Sequence, residues 1–289
     1  MGLRDGVDLF EWGWFYHYYL PIFALYRESK LYIRRNGNLI TTICSLKCKN
    51  CIGNIDILEN KAHRPLAEII AEIDATFKCF DYTEIFYLIG GEANMHPNIK
   101  DVIRHIIHSR HADGFGNLVV CTNGLFRFDD EYVELLKTTK TCLEWTDYTD
   151  TLDDKKKTRI LDNVECLRNA GLKIATIHHD YWVDFGKGEV LEYSDDELLE
   201  RFHSCNVCIN IRDHPVPACA KGYNMGKHFR TGGKDFIPLN GDNENDRFKH
   251  MVLELTYGFC ENGLPNACRF CKGHFGINDD KVVAGEQAE

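Results

Sequence analysis

The feature that most constrains this chain is a repeated alternation of strand-like and helix-like segments over its first two-thirds. Residues 38–44 (NLITTIC) are β-branched and read as a strand. Residues 65–80 carry Leu66, Ile69, Ile70, Ile73 and Phe77 at helical spacing, with Pro65 at the start. The same reading gives strands over 84–89, 118–121, 143–148 and 172–177, and helices over 97–108, 129–137 and 155–170. Gly171 closes the last of these helices. Strands separated by helices at this rhythm predict an α/β architecture, a parallel sheet or barrel with right-handed crossovers. In such folds chemistry gathers at the C-terminal ends of the strands. Cys44, Gly90, Thr122, Asp147 and His178 all fall there.

The pattern breaks after about Gly186. One amphipathic helix is predicted over 194–203 with Ser194 as its N-cap, and beyond it come Gly- and Pro-containing loops with six cysteines. Three parts are therefore expected: an aromatic, helical extension over 1–37, the α/β unit over 38–186, and a small module over 187–289 held by metal rather than by its own core.

Composition narrows the function. The chain has 289 residues and a net charge of −10, which argues against a nucleic-acid glove. The greasiest run, residues 14–26, is too short to span a membrane and is interrupted by His17 and Pro21. The first ten residues lack a secretory signal, so a cytoplasmic protein is expected. Thirteen cysteines are anomalous in a reducing compartment, where metal or redox chemistry is the leading use for them.

Cys44, Cys48 and Cys51 form C-x3-C-x2-C directly after the first predicted strand. Three thiolates on one loop can hold three irons of a 4Fe–4S cluster and leave the fourth open, whereas structural zinc takes four protein ligands. The run CSLKCKNC resembles the signature of radical S-adenosylmethionine (radical SAM) enzymes, with Asn50 where that family has an aromatic or apolar residue. Further resemblances follow in family order: Gly90-Gly91-Glu92, the run ANMHPNI after it, and Thr122-Asn123-Gly124. They imply a partial (β/α)6 barrel that binds a 4Fe–4S cluster and S-adenosylmethionine. By the same resemblance Gly90, Gly91 and Glu92 hold the methionine amino group, and Asn50 changes the packing near the adenine. Thr122, Asn123, Thr146 and Asp147 are further cofactor contacts, Asp147 having a solvated loop as its plainer reading. Of His178 and His179, only one can face the cavity while the strand persists.

Cys205, Cys208, Cys219, Cys260, Cys268 and Cys271 make a second group. Their two C-x2-C pairs suit a zinc knuckle or an auxiliary iron–sulfur cluster. The segment from Cys208 to Cys219, followed by CRFC, resembles the truncated SPASM or Twitch module, with His214 where a glycine is usual. That resemblance places a second cluster, 4Fe–4S in type, on Cys208, Cys219, Cys268 and Cys271, with Cys205 as a substitute for Cys208. Cys79, Cys121, Cys142 and Cys166 read as core residues.

The function implied is reductive cleavage of S-adenosylmethionine to a 5′-deoxyadenosyl radical that abstracts hydrogen from a substrate, with flavodoxin or ferredoxin as reductant. Oxidation through the second cluster, or epimerisation with Cys260 returning a hydrogen, are the two outcomes expected. Only 37 residues precede the first predicted strand, and the ending CRFC…Glu286-Gln287 resembles short Twitch-bearing proteins associated with carbohydrate modification. A small, sugar-linked substrate is therefore expected. A peptide-modifying maturase, and a zinc-stabilised binding protein without radical chemistry, are the alternatives.

Overall fold

A computed structural model describes residues 20–109, 112–137, 140–186, 188–205, 209–211, 215–217, 219, 236–239, 246–257, 264–274 and 277–288. Five strands run in chain order: β1 (Tyr32–Thr41), β2 (Tyr82–Gly90), β3 (Phe115–Thr122), β4 (Thr141–Asp147) and β5 (Ile174–His178). Each pairs in parallel with the next. Between them lie α2 (Leu66–Cys79), α3 (Ile99–His108), α4 (Asp130–Leu136) and α5 (Asp154–Asn169), following α1 (Leu20–Glu28). This is the α/β architecture expected of a partial barrel.

The parallel pairs place one face of the sheet against the crossover helices. Ile40, Phe86, Leu88, Leu118, Val120 and Leu143 pack there with helix residues such as Ile69, Ile103 and Leu136. Burying each such side chain is worth about 1.5–3 kcal/mol. Strand side chains alternate between faces, so Arg35, Tyr87, Cys121 and Glu144 point the other way, into the barrel.

Two differences from the sequence reading matter. First, β1 begins at Tyr32 rather than at residue 38, and it ends at Thr41, before Cys44. Its first half is hidden in the sequence by Arg34, Arg35, Asn36 and Gly37, which do not look like a strand. Arg34 pairs with Glu84 of β2 at 3.7 Å, and further along the strand the Asn38 amide donates to Glu72 Oε1 at 2.7 Å inside the helix layer. Arg64 grips the same carboxylate with two bonds of 2.7 and 3.0 Å, and Glu72 is fully buried. Second, the sheet has a sixth strand, β7 (Ile209–Ile211), which pairs in parallel with residues 36–38 of β1. It comes from the stretch that sequence assigned to the small module.

The remaining described residues include β6 (Trp182–Val183), α6 (Asp195–Ser204), β8 (Pro215–Pro217), β9 (Phe236–Pro238), α7 (Asp246–Tyr257) and β10 (Lys281–Val282). The capping box expected at Ser194 is present, with Glu197 as its partner. Leu25 of α1 and Phe248 and Val252 of α7 share one apolar cluster with Leu31, Ile33 and Ile211 at the β1–β7 side of the sheet. β10 pairs antiparallel with β6, and Lys272 bridges Asp184 and Asp280. Among the described residues, no helix is long and apolar enough to cross a membrane.

Candidate cofactor site

The loop after β1 carries Cys44, Cys48 and Cys51, all half-buried. Both ends of the loop are clamped. Arg64 N donates to Ile40 O at 3.1 Å, Thr42 N to Ala62 O at 3.0 Å, and Ala62 N to the Thr42 hydroxyl at 2.8 Å. Below it, Leu46 packs with Leu125, Trp145, Ile160 and Val164. Burial pushes the Cys44 thiol up to about 12 and the Cys48 thiol up to about 11, and the neighbouring thiols push in the same direction. Asn50 sits at φ 55°, in the left-handed region that asparagine tolerates better than an aromatic side chain does.

The Gly90-Gly91 segment lies against this loop. A Cβ on Gly91 would come within 2.5 Å of Ile43 O and 2.8 Å of Cys44 Cβ, and one on Gly90 within 2.6 Å of Thr41 O. Only glycine allows that approach. Gly91 N donates to Thr41 O, and Glu92 N to Ile43 O.

Glu92 is 2% exposed. Its Oε2 accepts the Asn123 N–H at 2.7 Å, and its Oε1 accepts the Asn94 side-chain amide at 2.6 Å and the Asn94 N–H at 3.3 Å. Tyr132 in turn donates to Asn94 Oδ1 at 2.6 Å. Burial pushes the Glu92 carboxyl upward, and the Asn123 N–H and the Asn94 amide pull it back. These bonds join the ends of β2 and β3 through the carboxylate.

Asn123 ties the third strand end to the cysteine loop. Its Nδ2 donates to Ser45 Oγ at 3.0 Å and points at Cys44 Sγ at 3.7 Å, while its Oδ1 accepts the Leu125 N–H at 3.0 Å. The Thr122 hydroxyl accepts the Gly124 N–H at 3.1 Å. At the fourth strand end, Asp147 Oδ1 accepts both the N–H and the hydroxyl of Thr149, at 2.9 and 2.7 Å, and so shapes the turn. Thr146 hydrogen-bonds Tyr148, whose phenol is driven far above its ordinary range by burial and by the three thiols beside it. Tyr148 escaped sequence reasoning, although an aromatic residue directly after a strand was a usable signal.

The inner face of the barrel holds a second set that sequence missed. The Cys121 thiol donates to Glu144 Oε1 at 3.6 Å, and the Tyr87 hydroxyl approaches Glu144 Oε2 at 3.5 Å. Burial raises the Glu144 carboxyl, while Cys121, the nearby charge of Arg35 and Tyr87 lower it. Arg35 Nε is buried with no hydrogen-bond partner among the described residues. Cys121 and Cys142 are half-buried rather than core, and Cys166 is exposed on α5, contrary to the core reading; only Cys79 is buried. Cys166 was misread because a helix position alone does not fix which face it occupies. His178 lies on the helix-facing side of β5, near Asp150 and Asp180 at 3.8 and 3.6 Å. His179 neighbours His274, and burial lowers both.

In the second group, burial first, then the nearby Cys219 and Cys271, drive the Cys205 thiol up to about 12. Gly273 N donates to Cys271 Sγ at 3.4 Å, and Cys271 N to Cys268 O at 3.3 Å. Cys208 and Cys260 lie outside the described residues.

Residues 38–179 match the family model of the radical SAM superfamily. The chain belongs to that superfamily. Among solved structures, this radical SAM protein is similar to native anSMEcpe with bound AdoMet and Cp18Cys peptide, at 10% identity and a TM-score of 0.53, over 80% of this chain and 85% of that one. It also matches SuiB of Streptococcus suis bound to S-adenosylmethionine at 16% identity and a TM-score of 0.41, over 62% of this chain. The match covers 40% of SuiB, so the chain spans well under two-thirds of that protein's length. A third likeness is to BtrN in complex with AdoMet and 2-DOIA, at 13% identity and a TM-score of 0.45, over 82% of this chain and 92% of that one. No curated protein matches the sequence.

The family implies a 4Fe–4S cluster and S-adenosylmethionine. The residues present fit both. Three thiols share one clamped loop, and amide donors already face two of the sulfurs, Asn123 toward Cys44 and Gln287 Nε2 toward Cys48 at 3.2 Å. The glycine pair leaves bare backbone beside Cys44, where a Cβ has no room. Among the described residues, no group of three or more His, Cys, Asp or Glu closes around a single ion. A four-iron cube takes one thiolate per corner, so its ligands stand apart.

Proposed function

We propose that this chain uses Cys44, Cys48 and Cys51 to hold a 4Fe–4S cluster and the ends of β2, β3 and β4 to hold S-adenosylmethionine. When bound, the cluster supplies an electron that cleaves S-adenosylmethionine to a 5′-deoxyadenosyl radical, which takes hydrogen from the substrate. The observation that carries this reading is the convergence of the cysteine loop, Gly90-Gly91 and Asn123 within one hydrogen-bonded layer. Backbone groups of Gly90 and Gly91 orient the methionine end, Glu92 and Asn123 fix the spacing between strand ends, and Thr146 and Asp147 border the ribose side. Tyr148 and the residues packed under the loop keep water from the thiols.

The substrate reading follows from the barrel's inner face. Arg35, Tyr87, Cys121 and Glu144 offer donors and acceptors rather than grease, with a buried Arg35 N–H awaiting an acceptor. That lining suits a hydroxylated small molecule such as a sugar or sugar-linked metabolite. Cys219, Cys268 and Cys271, with either Cys208 or Cys205, would supply the four ligands of a second iron–sulfur cluster, which would take the substrate electron in an oxidation. Cys260 is the candidate hydrogen donor for the epimerase outcome. A flavodoxin or ferredoxin supplies the electrons.

The test is metal counting on the anaerobically reconstituted chain, then S-adenosylmethionine cleavage with dithionite. About eight irons per chain and reductant-dependent cleavage are expected. The C44S/C48S/C51S variant should lose about half the iron and all the cleavage. Zinc without iron would sink the proposal. Deuterium transfer into 5′-deoxyadenosine from labelled sugars, with labelled peptides as the other arm, identifies the substrate class.

A further inference from the structure

Residues 281–288 return to the cysteine loop from the far end of the chain. Val282 pairs with Trp182, and Thr151 Oγ1 then holds Gly285 O at 3.0 Å. Gly285 has φ 71°, and a Cβ there would lie 2.6 Å from the Tyr148 ring, so the segment passes flat over that ring. Lys49 N next donates to Glu286 O at 2.6 Å, Ala288 N to Lys47 O at 2.7 Å, and Lys49 Nζ pairs with Glu286 at 2.7 Å. Gln287 thereby stands opposite Cys48 in an antiparallel bridge.

The Gln287 side chain does something the backbone strap does not require. Its Oε1 accepts the Lys47 N–H at 2.9 Å. One hydrogen of its amide goes to Gly285 O at 2.6 Å, and the other to Cys48 Sγ at 3.2 Å. Both donors and the acceptor are used, which fixes the orientation: turned over, the amide would set oxygen against Gly285 O and N–H against the Lys47 N–H. The donor toward sulfur is therefore built in.

We propose that Gln287 is a positioning residue for the cluster on Cys44, Cys48 and Cys51, and that its amide N–H on the Cys48 sulfur raises that cluster's reduction potential. This rests on the reading of the three cysteines as the cluster loop. A hydrogen bond to a thiolate stabilises the state with more negative charge, which is the reduced one. No atom is transferred; one electron arrives from the external reductant and the N–H stays on Gln287.

The test is a redox titration followed by electron paramagnetic resonance on reconstituted full-length chain, using the signal that changes when S-adenosylmethionine is added. Gln287→Ala removes the donor. Gln287→Glu keeps an acceptor for the Lys47 N–H but sets a carboxylate against the sulfur. Thr151→Val loosens the strap and leaves the sulfur alone. At fixed poise, Q287A is expected to lower the reduced-to-oxidised ratio about tenfold, a shift of 59 mV to more negative potential for one electron. Q287E should shift at least as far, and T151V should not shift. Iron release to a chelator, followed in parallel, reports the strap: T151V should release iron faster than wild type while its potential stays at the wild-type value. If iron-loaded Q287A and Q287E titrate like wild type, or if T151V shifts equally, Gln287 is only a clamp and the inference falls. If wild type takes up no iron, the cluster reading itself falls first.

Discussion

Replacing Glu92 separates two roles for a buried carboxylate. Its oxygens take three N–H bonds, two of them at 2.6 and 2.7 Å, from Asn94 and Asn123. Hydrogen bonds to charged groups are each worth about 1.5–3 kcal/mol. Glu92→Gln keeps the shape and one acceptor but turns an NH2 toward a donor on Asn94 or Asn123. One charged bond is lost and one buried N–H is left facing another donor, a cost of about 2–4 kcal/mol. Glu92→Ala loses every bond and opens a cavity, so it should cost more, about 4–5 kcal/mol. In urea, with a slope of about 3 kcal/mol/M for a chain this size, E92Q should lower the unfolding midpoint by about 1 M. Iron retention should fall with it, because Glu92 sets the spacing between the cysteine loop and Asn123. If Glu92 instead held the methionine ammonium directly, E92Q would unfold like wild type and lose affinity for S-adenosylmethionine alone. That pairing of results would refute the reasoning.

Other expectations follow from the same contacts. Gly91→Ala pushes a methyl into Ile43 O and Cys44, so a loss of about 1–3 kcal/mol in stability and of bound iron should appear in urea unfolding and iron assays. Under native conditions iodoacetamide should label Cys166 early and Cys79 only on unfolding, as read by peptide mass mapping. Asp153 is held below the ordinary carboxylate range, first by the Lys156 side chain and then by the Lys156 N–H at the start of α5. Its folded value lies below the unfolded one, so its contribution is present above the unfolded range and lost as pH falls through the lowered value. Asp153→Asn should therefore flatten the acid limb of a melting-temperature profile below about pH 4.

Much of this was legible in the chain because the strand ends carry both kinds of signal. The helices at 66–79 and 154–169 fall within a residue of the sequence reading, since Pro65 marks the start of the first and Gly171 the end of the second. Cys44, Gly90 and Thr122 were readable because each stands where a β-branched run stops. The first half of β1 was not, because Arg34, Arg35, Asn36 and Gly37 break any apolar alternation, and the Glu84 that Arg34 meets lies on a later strand. Tyr148 and Gln287 escaped as contacts for a related reason. A local pattern does not say which way a side chain points, nor that residue 287 meets residue 48. The three-residue β7 is too short to show any periodicity.

That short strand changes how the chain must assemble. By pairing Ile209–Ile211 with residues 36–38, it covers N–H and C=O groups of β1 that would otherwise face outward as an open edge. The first strand of the sheet is completed only after about 170 further residues have been added, so this contact carries a large loop-closure cost and forms late. A fragment ending at residue 179 would keep every cofactor motif of the barrel and still present a sticky edge to its neighbours. The segment that looked like an appendage is, in folding terms, the sheet's selvedge.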